Sequence, residues 1–170
     1  MKRFALLIGI ASLAVGVEAQ PAVTTMDLQV VARALSFIEP PMRGTVRVGI
    51  VYDAASNASV RQAQEVQRLL TTAVKAANLE LRPTLVEMRA ADRADVDLLF
   101  LTEHVGQDVA AHIAARRIPC VTTDLAQMTN GVCLMGVRAQ PKVEIFVNRA
   151  AADAAGVSFA TVFRMMVKEI

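Results

Sequence analysis

The sequence predicts an α/β domain: a three-layer, mostly parallel sheet with helices on both faces and an antiparallel strand pair at one edge. Three observations carry this. Apolar, strand-like runs alternate with segments of 3.6-residue periodicity through residues 46–123. The run over 96–101 is unbroken in its apolar character after Asp97, the pattern of a strand buried on both faces of a parallel sheet. Right-handed crossovers then order the four strands of this alternation as 2-1-3-4, with extra strands beyond the fourth.

The chain opens with Lys2 and Arg3, an apolar run over 4–17, and small residues at Val17 and Ala19. This is the pattern of a cleavable export signal, with cleavage between Ala19 and Gln20 and a single domain over 20–170. The alternative is an uncleaved anchor, but the apolar run falls short of the roughly 20 residues that cross a bilayer. No later segment spans a membrane by this criterion. The address implied is periplasmic, and the remaining chain of about 150 residues suits one well-packed core.

Each element follows in order. Thr24 or Thr25 caps a first helix whose Leu28, Val31, Leu35 and Ile38 share a face, stopped by Pro40 and Pro41. Residues 46–51 form the first strand, which leads at Asp53 into a polar linker reaching Ser59. A long helix to Asn78 puts Ala63, Val66, Leu69, Leu70, Ala73, Val74 and Ala77 on its core face and Arg61, Glu65, Arg68 and Lys75 on the other. Residues 79–88 are the second strand, at an edge because Pro83 cannot donate to a ladder. The central strand covers 96–101, a short helix 107–117, and a fourth strand 118–123. Residues 131–137 and 142–148 make the antiparallel pair. Asn148 caps a helix over 149–155 that Gly156 ends, and Ser158 caps a last helix with Phe159, Val162, Phe163, Met166, Val167 and Ile170 on one stripe. Docking on the sheet explains that stripe, although Met165 and Met166 also suit a partner surface.

Charge and composition exclude some functions. The net charge is only +2, acids and bases are mixed, and aromatic content is 4% with no Trp, so neither a nucleic-acid surface nor a base- or sugar-stacking platform is indicated. Gly49 stands alone, without a dinucleotide or phosphate-loop pattern, and no serine lies in a nucleophile elbow. His104 and His112, the two histidines, would stand about 12 Å apart on a helix, too far to share a metal unaided. No catalysis, cofactor or metal is therefore expected. Ligands of a doubly wound sheet bind beyond the carboxyl ends of its strands, where strand order reverses. Asp53, Ser56, Asn57 and Ser59 of the first linker, with Glu103 and His104 after the central strand, are the binding candidates there. Asn57 or Ser59 also reads simply as a helix cap. Cys120 and Cys133 fall in two consecutive predicted strands, and in an oxidising compartment they form either a bridge or two buried thiols.

Several segments resemble the YfiR/HmsC-like family of small periplasmic proteins: 120–124 and 130–136 around the cysteines, 143–152, and Ala155-Gly156-Val157. The opening helix over 31–40 and the central Asp97–Leu101 run are similar too, with Glu39-Pro40 standing where the family has Trp-Pro. This resemblance implies a YfiR-like domain over 20–170, and a regulator rather than an enzyme. Known members restrain a membrane-bound diguanylate cyclase from the periplasmic side and so lower cyclic-di-GMP. The implied partner is the periplasmic portion of an inner-membrane signalling protein, with a homodimer as a further arrangement. A second resemblance runs from Val48 to Asp53 and through Asn57 to Val60, which looks like the hinge-side lobe of periplasmic solute-binding proteins. It implies a single-lobe small-molecule binder, whose linker faces the solute.

Overall fold

A computed structural model describes residues 22–76, 78–105 and 108–170. The expected export signal and its cleavage point lie outside them. Thr24 caps helix α1 (Thr25–Ala34) in a reciprocal box with Asp27, whose carboxylate accepts from the Thr24 backbone at 2.9 Å and its hydroxyl at 2.6 Å. The other oxygen of Asp27 accepts from the Ala139 backbone at 2.7 Å and so ties α1 to the far half of the chain. After one 3-10 turn, Ile38 leaves the helix for the two-residue strand β1 (Ile38–Glu39).

Strand β2 (Gly44–Tyr52) runs parallel to both β3 (Leu79–Glu87) and β4 (Leu98–Leu101), and β4 runs parallel to β5 (Cys120–Thr122). The spatial order β3-β2-β4-β5 is the expected 2-1-3-4, and Pro83 sits on the edge strand as anticipated. The sheet continues through β6 (Met135–Arg138), parallel to β5, and β7 (Glu144–Val147), antiparallel to β6. All four residues of β4 are buried, and they alternate between two cores. Leu98 and Phe100 join Val46, Val48 and Ile50 beneath α1 and helix α2 (Asn57–Thr72), which contributes Ala63, Val66, Leu69 and Leu70. Leu99 and Leu101 join Val51 on the other face, beneath Val109 and Ile113 of α3 (Asp108–Arg116) and Met128 of α4 (Leu125–Thr129). Period-2 side-chain alternation thus serves two cores at once, and each fully buried large apolar residue stabilises by about 2 kcal/mol.

Three expectations give way. The long helix stops at Thr72 rather than Asn78, because the chain reverses sharply, with Ala76 bridged to Leu79, to start β3. Helix α4 appears where no element was expected. It rests on β6 so closely that a Cβ at Gly136 would stand 2.5 Å from Met128 Cγ. The last helix does not form. Ser158 instead begins a strand, β8 (Ser158–Phe159), antiparallel to β1. The helical stripe survives only in the single turn α6 (Thr161–Arg164), where Phe163 stacks on Phe37 with ring centroids 4.9 Å apart. Beyond it, the open edge of β7 takes the backbone of β9 (Lys168–Glu169), and Val162, Met166 and Ile170 of the predicted stripe stay exposed. Satisfying an edge of backbone hydrogen-bonding groups outweighs completing a third helical turn. The helix α5 (Arg149–Ala155) does form, capped by Asn148 and closed by Gly156 in the left-handed region, as read.

Cys120 and Cys133 are joined in a disulfide with 4.8 Å between Cα atoms. Cys120 lies in β5, but Cys133 lies in the turn ahead of β6 rather than in a strand, because α4 shortens that strand from its amino end. Among the described residues no helix is long and apolar enough to cross a membrane.

Candidate functional site

Strand order reverses between β2 and β4, and the loops leaving the carboxyl ends of these two strands meet there. Beneath them runs a directed relay of hydrogen bonds. The Thr102 hydroxyl donates to the Val51 carbonyl at 2.9 Å. Having one proton, it must accept from the Ser59 hydroxyl, 2.6 Å away, and Ser59 accepts in turn from the Asp53 backbone N–H at 2.9 Å. Ser59 and Thr102 are both fully buried. Ser59 therefore locks the two loops together beneath the rim and does not face a ligand, which corrects its place among the binding candidates.

The first linker caps its helix one residue earlier than the sequence suggested. The N-cap is Ser56, whose hydroxyl accepts from the Ser59 backbone at 3.3 Å, because α2 begins at Asn57 and its third residue points back to position 56. Asn57 lies in the first turn with its side chain exposed. Asp53 holds the turn through an oxygen that accepts from the Ala55 backbone at 2.9 Å. Ser56 and Asp53 are thus partly consumed by local structure, and Asn57 has no side-chain partner among the described residues.

The loop after β4 is held by two residues that the sequence reading passed over. The peptide group joining Thr102 to Glu103 has its carbonyl bonded by Gln127 Nε2 at 2.7 Å and its N–H bonded to Gln62 Oε1 at 2.6 Å. Gln62 comes from α2 in one helical layer, and Gln127 from α4 in the other. One peptide plane is therefore fixed from both sides of the sheet. Gln62 sits on the flank of a periodic helix and Gln127 in a helix of five residues, so neither carried a sequence signal. The loop presents Glu103 half-buried and His104 exposed, the latter in the left-handed region at φ 63°. A non-glycine residue held there stores local strain, a feature concentrated at functional sites.

Glu103 also lines a cleft of about 260 Å³, whose other walls include Ala22, Val23, Ala58, Arg61, Gln62 and Glu65. Glu65 is occupied: Arg68 bonds it at 2.6 Å and holds its carboxyl below the usual range. Arg61 and Glu103 form no ion pair among the described residues. The cleft therefore offers one cation and one carboxylate, with alanine and valine between them. Among the described residues two larger hollows lie elsewhere. One, of about 600 Å³, is at the amino ends of β2 and β3 around Pro41 and Asn78. The other, of about 490 Å³, follows the β3 edge, where Arg47 is bound by Asp95 and Asp97 and Arg82 by Glu80. Volume alone favours them, but neither adjoins the reversal of strand order, and the second has its charges already paired.

No family model matches the chain, and no curated protein does. Solved structures do. An ABC domain in complex with L-Trp from Streptococcus pneumonia superposes with a TM-score of 0.58 at 13% identity, covering 85% of this chain and 60% of that one. A conserved domain protein from Vibrio cholerae superposes with a TM-score of 0.58 at 9% identity, covering 85% and 59%. These likenesses establish the α/β fold. The chain spans about 60% of the length of these solved structures.

Proposed function

We propose that this chain binds a small zwitterionic solute of amino-acid type in the cleft beside Glu103, and acts by binding rather than turnover. The observation that carries the reading is that Arg61 and Glu103, neither of which has a side-chain partner among the described residues, line one cleft at the point of strand reversal. A solute carboxylate meets the guanidinium, a solute ammonium meets the carboxylate, and Ala22, Val23 and Ala58 accept the apolar remainder. At about 260 Å³ the cleft falls just below the roughly 300–1,000 Å³ usual for drug-sized ligands, which suits a small molecule. The bound L-Trp of one structural neighbour supports the same class. Of the two readings drawn from sequence resemblance, solute binding gains this support, whereas restraint of a membrane-bound cyclase gains none from the comparisons. The disulfide supports a place of action outside the reducing cytoplasm.

Calorimetric titration with L-amino acids, their carboxamides and their des-amino acids tests the proposal. A zwitterion binds, and both trimmed analogues bind about 10- to 100-fold more weakly, as expected for losing one charge-assisted hydrogen bond. Arg61→Gln weakens the zwitterion and spares the carboxamide, and Glu103→Gln spares the des-amino acid. Absence of binding across the set at millimolar concentration rejects the reading.

A further inference from the structure

The hollow of about 600 Å³ at the amino ends of β2 and β3 lies at the opposite end of the sheet from the solute cleft. Among the described residues its walls carry two guanidiniums, Arg33 and Arg43, and no carboxylate. Arg47, Arg68, Arg82 and Arg138 are each tied to an acid, whereas neither Arg33 nor Arg43 has an ion-pair partner among the described residues. Arg33 stands in the last turn of α1, where the helix dipole favours a cation. That explains one arginine and leaves the other. Arg43 comes from the connection into β2, and continuing the parallel register of Gly44 with Leu79 sets it beside Asn78. The walls are also braced. Gln29 of α1 donates to the Lys75 carbonyl at 2.5 Å and accepts from the Lys75 backbone N–H at 3.2 Å, so α1 and the turn ahead of β3 keep a set spacing. The Ser36 hydroxyl donates to the Arg33 carbonyl at 2.6 Å and fixes the end of α1.

We propose that this hollow binds a small organic phosphate, with its phosphoryl group against Arg33 and Arg43 and its carbon body against Pro41, Met42 and Leu79. Two guanidiniums brought by separate elements match a dianion, since each presents a planar fork of N–H donors suited to a pair of phosphate oxygens. A monocarboxylate neutralises only one of them. The volume exceeds what a bare phosphate fills and falls in the roughly 300–1,000 Å³ range of sites for larger ligands, which favours a phosphate carried on an apolar body. The walls also separate this site from the solute cleft. There Arg61 and Glu103 together suit a zwitterion, whereas here a ligand ammonium would meet only cations. The inference is independent of the solute.

Calorimetric titration of the purified chain at constant ionic strength tests it, with phenyl phosphate as the probe and inorganic phosphate, succinate and benzoate as comparators. Phenyl phosphate is expected to bind with a Kd of about 1 mM or below, and about 10-fold more tightly than each comparator. Arg33→Gln and Arg43→Gln each weaken it about 10-fold, whereas Arg93→Gln, in the hollow along the β3 edge, leaves it unchanged. Thermal melting of each variant separates lost binding from lost folding. Co-sedimentation with phosphatidylcholine vesicles, with and without phosphatidic acid, then distinguishes the source of the phosphate. Capture that needs phosphatidic acid and both arginines assigns it to a lipid headgroup, and binding of phenyl phosphate without capture assigns it to a soluble ester. Phenyl phosphate that fails to bind at about 10 mM, or that binds the Arg33→Gln, Arg43→Gln double variant as well as the parent, overturns the site. Succinate or benzoate binding as tightly as phenyl phosphate overturns the choice of phosphate.

Discussion

The reversal point between β2 and β4 and the corner around β9 are built from opposite materials. At the reversal point, buried hydroxyls, backbone groups and two neutral amides bond one another, and Ser59 and Thr102 have no contact with solvent. At the corner, the two-residue strand β9 is held by ion pairs whose cations are exposed, with one carboxylate, the buried Glu144, receiving Arg138, Lys142 and Lys168. Buried neutral networks hold their partners in fixed geometry and cost free energy when broken. Exposed ion pairs contribute little each and leave their surroundings adaptable. The difference suits a cleft held in shape at the reversal point and a corner whose exposed side chains stay adaptable.

The comparison can be broken most severely at the disulfide, which ties the turn after α4 to β5 and thereby steadies Gln127. Replacing both cysteines with alanine should cost about 3 kcal/mol, from the lost restraint on a loop of this length, read as a lower urea midpoint. Met165→Glu in the corner should leave that midpoint within about 0.5 kcal/mol of the parent. Thr102→Val comes next. It leaves the Ser59 hydroxyl without its acceptor inside the core, while the Val51 carbonyl keeps the Thr102 backbone N–H, at about 2 kcal/mol by chemical denaturation. A loss below about 0.5 kcal/mol would mean that water enters the relay and that the two regions are less unlike than described.

The smallest effect is expected at Glu144, and it appears as a pH dependence. Arg138 first, then Lys168, hold this carboxyl down to about 2, so between ordinary carboxylate titration and pH 2 the unfolded chain carries a proton that the folded chain lacks. Its contribution is present above about pH 5 and is lost as pH falls through that window. Melting temperatures measured from pH 6 down to pH 3 should fall less steeply in Glu144→Gln than in the parent. Equal slopes would show that the three cations add nothing to stability.

The parallel half of the sheet was legible because its determinants are local. The apolar run through Leu98–Leu101, the amphipathic flank of α2 and the proline of β3 each state burial or edge position in a few adjacent residues. The rim was legible by rule, since Asp53, Asn57, Glu103 and His104 follow strands that the alternation had already ordered. Its internal bonding was not. Nothing in sequence distinguishes Ser59, which is buried and bonded, from Asn57, which is free, because the difference lies in Thr102 arriving from 43 positions away. Helix α4 escaped notice because its five residues are too short for a period to show. The C-terminal stripe misled for the converse reason: its spacing is helical, but the unpaired edge of β7 was a stronger claim on the same residues.

The peptide between Thr102 and Glu103 works mechanically as a pin set through two plates. Its Gln127 end is bolted, since the turn six residues beyond that glutamine is covalently anchored to β5. Its Gln62 end rides on α2, which no disulfide ties to the sheet. The orientation of Glu103 therefore depends on both helical layers at once, one held by a covalent cross-link and the other by hydrogen bonds and packing alone.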